Sequence, residues 1–181
     1  NCAELIVMLG AAITGLPLPL LPIQLLWINL ATDGLPALAL VMDPVEADVL
    51  ARPPRPPKQP MLGRPEWTTI AWTGFLQATV TLGIFAWTLR ADGIEQARNM
   101  AFTTLVFGEL FRAFAARSRT RTFWQVGATS NLRLLAGVAG SAVVQIGMHH
   151  VGFAQDIFGL APVSMRDCLL SIGLGLIPVS I

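Results

Sequence analysis

Charged residues are scarce in this sequence: lysine, arginine, aspartate and glutamate make up only 13% of its 181 residues. A soluble domain usually carries about 25% charged residues. Here 54% of the residues are hydrophobic, and the mean hydropathy is +0.62. The net charge of +1 provides no broad basic surface, so nucleic acid is excluded as an expected partner. The composition indicates an integral membrane protein whose main partner is the lipid bilayer.

Cysteine and histidine are also rare. The two cysteines have no metal-ligand spacing and are interpreted as packing residues. His149 and His150 are adjacent and close to the end of an apolar segment, so we expect them at the membrane interface rather than in a metal site. The chain starts inside an apolar run, without a methionine or a charged leader. This start predicts that the sequence is part of a longer chain.

Apolar segments divide the chain into six parts, at about residues 1–16, 22–42, 66–89, 99–115, 132–149 and 164–181. A transmembrane helix needs about 20 apolar residues, so the sequence predicts an all-α, multi-span transmembrane bundle of six helices. The first and last segments are short and reach the chain ends in mid-pattern. We expect these two helices to be truncated, and two re-entrant segments are the alternative.

The distribution of basic residues predicts the orientation of these helices. Only three of the twelve basic residues, Arg90, Arg98 and Arg166, lie near the connections after the odd-numbered segments. The other nine lie in or beside the connections after the second and fourth segments: Arg52, Arg55, Lys58, Arg64, Arg112, Arg117, Arg119, Arg121 and Arg133. These two basic connections should therefore face the cytoplasm.

The first basic connection, residues 43–65, contains seven prolines. Because proline lacks the amide N–H and fixes φ, this cytoplasmic linker should be an extended strap at the membrane surface rather than a helix. Two interpretations stay open at this point. The strap is either a topology signal alone or a docking segment for a cytoplasmic domain.

Three of the eleven acidic residues, Glu4, Asp33 and Glu109, lie well inside apolar segments. A carboxylate at the bilayer centre costs at least ~2.5 kcal/mol, so it needs a partner or a function. Almost all basic residues lie in the connections, and a bound cation would supply the missing positive charge. Arg112 is the one near base, because it is three residues after Glu109 and could form a simple ion pair with it. A membrane scaffold without a transport role leaves these acids unexplained.

Oxygen-bearing side chains accompany two of the acids at helical spacing. Asn1 and Glu4 stand at i and i+3, and Asn29, Thr32 and Asp33 stand at i, i+3 and i+4. Each group therefore shares one helix face. Carboxylate, amide and hydroxyl oxygens are hard donors, and a site with six or more of them suits calcium better than magnesium, zinc or copper.

The second apolar segment also contains Gly34 and Pro36 directly after Asp33. Pro36 removes the backbone hydrogen bond to the carbonyl of Thr32, and Gly34 loosens the same turn. We predict that this helix is interrupted near Asp33–Pro36, as helices that line ion sites in transporters often are. A proline kink used only for packing is the alternative.

These motifs resemble those of a known family. The run from Ile23 to Ala37, with its Asn-Leu-Ala-Thr-Asp-Gly-Leu-Pro core, is similar to the sixth transmembrane helix of P-type calcium ATPases of the sarco/endoplasmic reticulum type. Asn1 and Glu4 resemble the Asn-x-x-Glu of the fifth helix in that family, and residues 48–58 resemble the cytoplasmic loop after the sixth. Glu109 falls where the family has an acidic ligand in its eighth helix. The resemblance covers the whole chain and is weakest toward its C-terminus.

The resemblance implies that residues 1–181 are the C-terminal transmembrane domain of an ATP-driven pump that moves calcium out of the cytoplasm with proton counter-transport. It implies one calcium site built by Asn1, Glu4, Thr32, Asp33 and Glu109, and a second site to which Asn29 and Asp33 contribute. In the absence of calcium, the cost of an unpaired buried carboxylate predicts that Glu4 and Glu109 take up protons.

The sequence contains no Asp-Lys-Thr-Gly phosphorylation motif and no nucleotide-binding domain. ATP and Mg²⁺ would act only through cytoplasmic domains of the parent pump, so no catalytic or cofactor-binding residue is predicted. The expected partners are those domains, the remaining transmembrane helices and the lipid. The membrane would be the plasma membrane in a bacterium and an endoplasmic-reticulum-type membrane in a eukaryote. A secondary cation/proton exchanger or a channel is the alternative, although the internal repeats usual in exchangers are not visible.

Overall fold

A computed structural model of the protein describes residues 2–41, 63–116 and 131–179, apart from the side chains of Ala31, Asp33 and Leu35. Across these residues the chain is almost entirely helical and contains no β-strand. The prediction of an all-α protein is therefore confirmed for the described part of the chain.

The helices follow the order of the apolar segments. They are α1 (Cys2–Ile13), α2 (Pro22–Trp27), a π-helix (Ile28–Gly34), α3 (Leu35–Val41), α4 (Arg64–Ala91), α5 (Ile94–Ala115), α6 (Leu132–Met148), α7 (Gly152–Phe158), α8 (Met165–Leu176) and a 3-10 turn (Ile177–Val179). Only α4, with 28 residues, is by itself long and apolar enough to cross a bilayer among the helices described. Helices α6 and α7, bent by 90°, reach that length together. The six-span arrangement therefore stays a prediction.

The predicted interruption of the second segment is found as a π-helix. It begins at Ile28, which is earlier than the Asp33–Pro36 region that the sequence indicated. The α-helical pattern resumes at Leu35, so Pro36 lies in the first turn of α3. Pro36 has no amide hydrogen to donate to a carbonyl of the preceding turn, which agrees with an irregular stretch directly ahead of the proline.

The last two residues of the predicted proline-rich linker, Arg64 and Pro65, lie in helix α4. Gly63 is its N-cap, and Pro65 lies in its first turn, where proline is favoured. The Oε2 atom of Glu66 accepts a hydrogen bond of 2.7 Å from the amide of Gly63 and so caps the N-terminus of α4. The remainder of the linker, residues 43–62, lies outside the described residues.

Helix α5 is the centre of the described bundle, because α4, α6, α8 and the π-helix all pack against it. Its turn from α4 is only two residues long, and Gly93 takes a φ of +87° there, in the region that favours glycine. Helix α8 approaches closely because both helices have a glycine at the contact. A methyl group on Gly175 would lie 2.9 Å from the backbone nitrogen of Gly108.

Three connections meet at one end of the bundle. Arg98 donates to the carbonyl of Leu18 at 3.0 Å, and Gln24 donates to the carbonyl of Phe158 at 3.0 Å. The loops after α1, α4 and α6 therefore lie on the same side, as the alternation of basic and non-basic connections predicts. Which side faces the cytoplasm stays a prediction.

Candidate cation-binding site

Glu4 and Asn29 meet across the first two apolar segments. The Nδ2 atom of Asn29 lies 3.3 Å from Oε2 of Glu4, and it also donates to the carbonyl of Leu25 at 2.8 Å. Glu4 is only 7% exposed, although it carries a carboxylate. The contact holds this buried acid against the start of the π-helix. It joins two residues that the family resemblance assigned to two different calcium sites.

Thr32 is the second polar residue of the π-helix. It is 3% exposed, and its Oγ1 donates a hydrogen bond of 2.5 Å to the carbonyl of Ile28. A hydroxyl that donates its hydrogen still has two acceptor lone pairs, so this oxygen remains able to bind a cation. π-Helical turns are rare and occur frequently at functional sites. The irregular stretch therefore coincides with the run of predicted ligands.

Two predicted ligands fall outside these contacts. Asn1 is outside the described residues. Asp33 lies within the π-helix, but its side chain is outside the description. The residues that the structure places are Glu4, Asn29, Thr32 and Glu109.

Glu109 lies on α5, which packs directly against the π-helix and α3. It is 7% exposed, and its Oε1 lies 3.6 Å from Nη2 of Arg112, whose side chain is 27% exposed. This is the intrahelical ion pair that the sequence raised as an alternative. Its length exceeds that of a charged hydrogen bond, so the pair balances charge without fixing the carboxylate tightly.

Among the described side chains, no three histidine, cysteine, aspartate or glutamate residues are grouped closely enough to hold a metal ion. Calcium does not require such a group, because it accepts amide, hydroxyl and backbone carbonyl oxygens together with carboxylates. The described arrangement offers the carboxylate of Glu4 beside Asn29, and Thr32 one turn further on. Oxygen donors of this kind are preferred by hard cations rather than by transition metals.

Several buried polar groups are neutral and were not among the predicted site residues. Gln24, Gln77 and Gln145 are each 0% exposed. Gln145 accepts a hydrogen bond of 2.9 Å from Nε1 of Trp27 and so ties α6 to α2. A glutamine inside an apolar helical segment was the available signal, because burying an amide without a partner costs several kcal/mol in hydrocarbon.

His149 is at the end of α6, but it is buried in the protein rather than exposed at a membrane interface. It is 1% exposed, its Nδ1 lies 3.1 Å from the carbonyl oxygen of Ala161, and its Nε2 lies 3.0 Å from Oγ1 of Thr103. A carbonyl can only accept, so Nδ1 donates to Ala161 and the neutral ring accepts from the Thr103 hydroxyl at Nε2. The histidine joins α6, α5 and the loop after α7, while the adjacent His150 is exposed.

Comparison with known proteins identifies the family. Residues 17–181 match the family described as cation transporting ATPase, C-terminus. The chain is 38% identical over 180 residues to a calcium-transporting ATPase of Bacillus subtilis, a match that covers 98% of this chain and 20% of that protein. It is 35% identical over 167 residues to a probable cation-transporting ATPase F of Mycobacterium tuberculosis, covering 91% of this chain and 18% of that protein. It is 33% identical over 171 residues to calcium-transporting ATPase 1 of Yarrowia lipolytica, covering 93% and 18%.

The chain therefore belongs to the C-terminal family of cation-transporting ATPases. The resemblance of its motifs to P-type calcium ATPases is confirmed by this membership and by the named relatives. The chain spans about a fifth of the length of the relatives it matches.

Proposed function

We propose that this chain supplies the ion-binding part of the membrane region of an ATP-driven pump that moves calcium out of the cytoplasm. The observation that carries the proposal is the contact between Asn29 and the buried Glu4, at the start of a π-helix that also holds Thr32. A buried acid next to an amide and an irregular helix forms a place where a cation can exchange its bound water for protein oxygens. The family and the relatives named as calcium-transporting ATPases support ATP as the energy source and calcium as the transported ion.

The full proposed site contains Asn1, Glu4, Asn29, Thr32, Asp33 and Glu109. Asp33 shares a helix face by its spacing with Asn29 and Thr32 and is followed directly by residues 34–36, so we expect it to be shared by two calcium ions. Glu109 would leave Arg112 and turn toward the ion when calcium binds. The arginine stem is long and its side chain is partly exposed, so its guanidinium can move toward the interface without leaving a charge in the core.

Proton counter-transport is part of the same proposal. When calcium leaves, buried carboxylates such as Glu4 and Glu109 lose their divalent partner, and binding protons lowers the cost of keeping them in a low-dielectric site. The pump would thus alternate between a calcium-bound state and a protonated state. Phosphorylation in the cytoplasmic domains would shift the balance between them.

The remaining elements of the proposal concern the membrane. Six spans would cross the bilayer, with the basic connections on the cytoplasmic side, and the loops that meet beside Arg98 and Phe158 would lie on the opposite side. The proline-rich linker would face the cytoplasmic domains of the pump. Those domains would bind ATP and Mg²⁺. The membrane would be the plasma membrane in a bacterium and of endoplasmic reticulum type in a eukaryote.

The decisive experiment reconstitutes the full-length protein in sealed vesicles and measures calcium uptake with ATP. We expect uptake that requires ATP and is accompanied by a calcium-dependent phosphoenzyme. The Asp33→Asn variant, which keeps the side-chain size but removes the charge, should lose both. Calcium movement driven by a proton gradient without ATP would instead establish the exchanger. Normal calcium activation in Asp33→Asn would refute the site.

A further inference from the structure

Gln77 is a fully buried amide in the middle of α4. Its Nε2 lies 3.4 Å from the carbonyl oxygen of Thr104 on α5, a long and weak contact. Its Oε1 is buried and has no hydrogen-bond partner among the described residues. An unsatisfied amide oxygen in a protein interior costs about 1–3 kcal/mol, so its retention requires an explanation.

Gln77 packs against Gly108, the residue that precedes Glu109 on α5. A methyl group on Gly108 would overlap the carboxamide of Gln77, whose Nε2, Oε1 and Cδ are the three atoms nearest to it. The carboxamide of Gln77 therefore occupies the space that a side chain at position 108 would fill. Glu109 is the next residue along α5, so the amide and the proposed ligand occupy the same level of the bundle.

Gln77 is also at the level of Glu4. Helices α1 and α4 run in the same direction, since a methyl group on Gly74 would lie 3.2 Å from Cβ of Cys2, and one on Gly10 would lie 2.7 Å from Cδ1 of Leu82. In both contacts the residue of α4 is 72 positions after its neighbour on α1, so this offset describes the register of the two helices. With the same offset, Gln77 lies at the level of residue 5 along the helix axis, one residue after Glu4. Helix α4, which carries this amide, packs against both α1 and α5, the helices that bear Glu4 and Glu109.

We infer that Gln77 is a further residue of the ion site and that its carboxamide oxygen contributes to the coordination of the bound calcium, directly or through one bound water. This inference rests on the proposed function. The chemistry fits because a neutral amide oxygen is a common calcium ligand and adds no charge. Glutamine is long enough to move from its weak contact with Thr104 when the ion arrives. Gln77 would then link α4 to a site otherwise built from α1, the π-helix and α5.

The test uses the full-length pump and three substitutions. Gln77→Met keeps the volume and flexibility of the side chain but removes the oxygen. Gln77→Glu keeps an oxygen. Thr88→Val is the matched control, because Thr88 is on the same helix, is 2% exposed, and has a buried Oγ1 without a hydrogen-bond partner among the described residues. It lies 11 residues further along α4, about 16 Å away at 1.5 Å per residue.

We expect Gln77→Met to weaken the calcium dependence of phosphorylation by about tenfold or more, as the loss of one oxygen ligand would. Gln77→Glu should restore most of this affinity, and Thr88→Val should leave it unchanged. If Gln77 only fills space, Gln77→Met should match the wild type in calcium affinity and unfold at the same or a higher temperature. That result would overturn the inference, as would an equal loss in the Glu and Met variants.

A second measurement couples Gln77 to Gly108. Gly108→Ala should displace the carboxamide and weaken calcium affinity, whereas the same change in a Gln77→Ala background should have no further effect. Additive losses would show that Gly108 acts through another contact and would contradict the inference. The wild-type protein tests the proposed function separately. If the wild type forms no calcium-dependent phosphoenzyme, the pump is refuted. If it forms one and the Gln77 variants have the same calcium affinity as the wild type, only this inference is refuted.

Discussion

Replacing Glu109 with glutamine tests a proposed ligand that forms an ion pair with Arg112 in the structure. The substitution keeps size and hydrogen-bonding capacity but removes the charge of a residue that is 7% exposed. An interaction with a charged group contributes about 1.5–3 kcal/mol, so the loss of this ligand corresponds to a roughly 10- to 150-fold weaker calcium affinity. The assay is the calcium concentration that half-activates phosphorylation of the full-length pump by ATP.

Arg112→Met provides the control, because it removes the guanidinium 3.6 Å from Glu109 but keeps an unbranched apolar stem. The arginine is not a proposed ligand, and its pair with Glu109 is already broken in the calcium-bound state that we propose. We expect this variant to keep its calcium affinity within about threefold of the wild type. If both variants instead lose equal thermal stability and neither changes calcium affinity, the pair is structural and Glu109 is not a ligand.

Two further predictions concern topology and packing. A cysteine placed at Gln59 in sealed vesicles should react with an impermeant reagent from the cytoplasmic side, and labelling only from the opposite side would overturn the orientation. His149→Phe should lower the thermal unfolding midpoint, because it leaves the carbonyl of Ala161 and the hydroxyl of Thr103 without their partner at a cost of about 1–3 kcal/mol. The exposed His150→Phe should change stability by no more than about 0.5 kcal/mol, and equal effects at both histidines would disprove the structural role of His149.

Helical content and approximate helix positions were predictable because long apolar runs leave the backbone few alternatives in a membrane. The buried position of Glu4 was also predictable from its place in such a run, and the irregular helix from Gly34 and Pro36. The extent of the irregularity was not. It depends on which backbone carbonyls find partners, and the structure places the π-helix at Ile28–Gly34, ahead of the proline.

The sequence alone determined the fold class, the family motifs and the set of charged candidates for an ion site, since each of these depends on residue type and local spacing. Only the tertiary structure decided which of them meet. It joined Asn29 to Glu4, paired Glu109 with Arg112 and buried His149. It also placed Gln77 beside Gly108, through a contact between helices that no periodicity encodes. The reason is that helical spacing fixes the face on which a side chain lies, whereas the neighbour on that face depends on helix register, and register is set by close contacts such as those at Gly74 and Gly10.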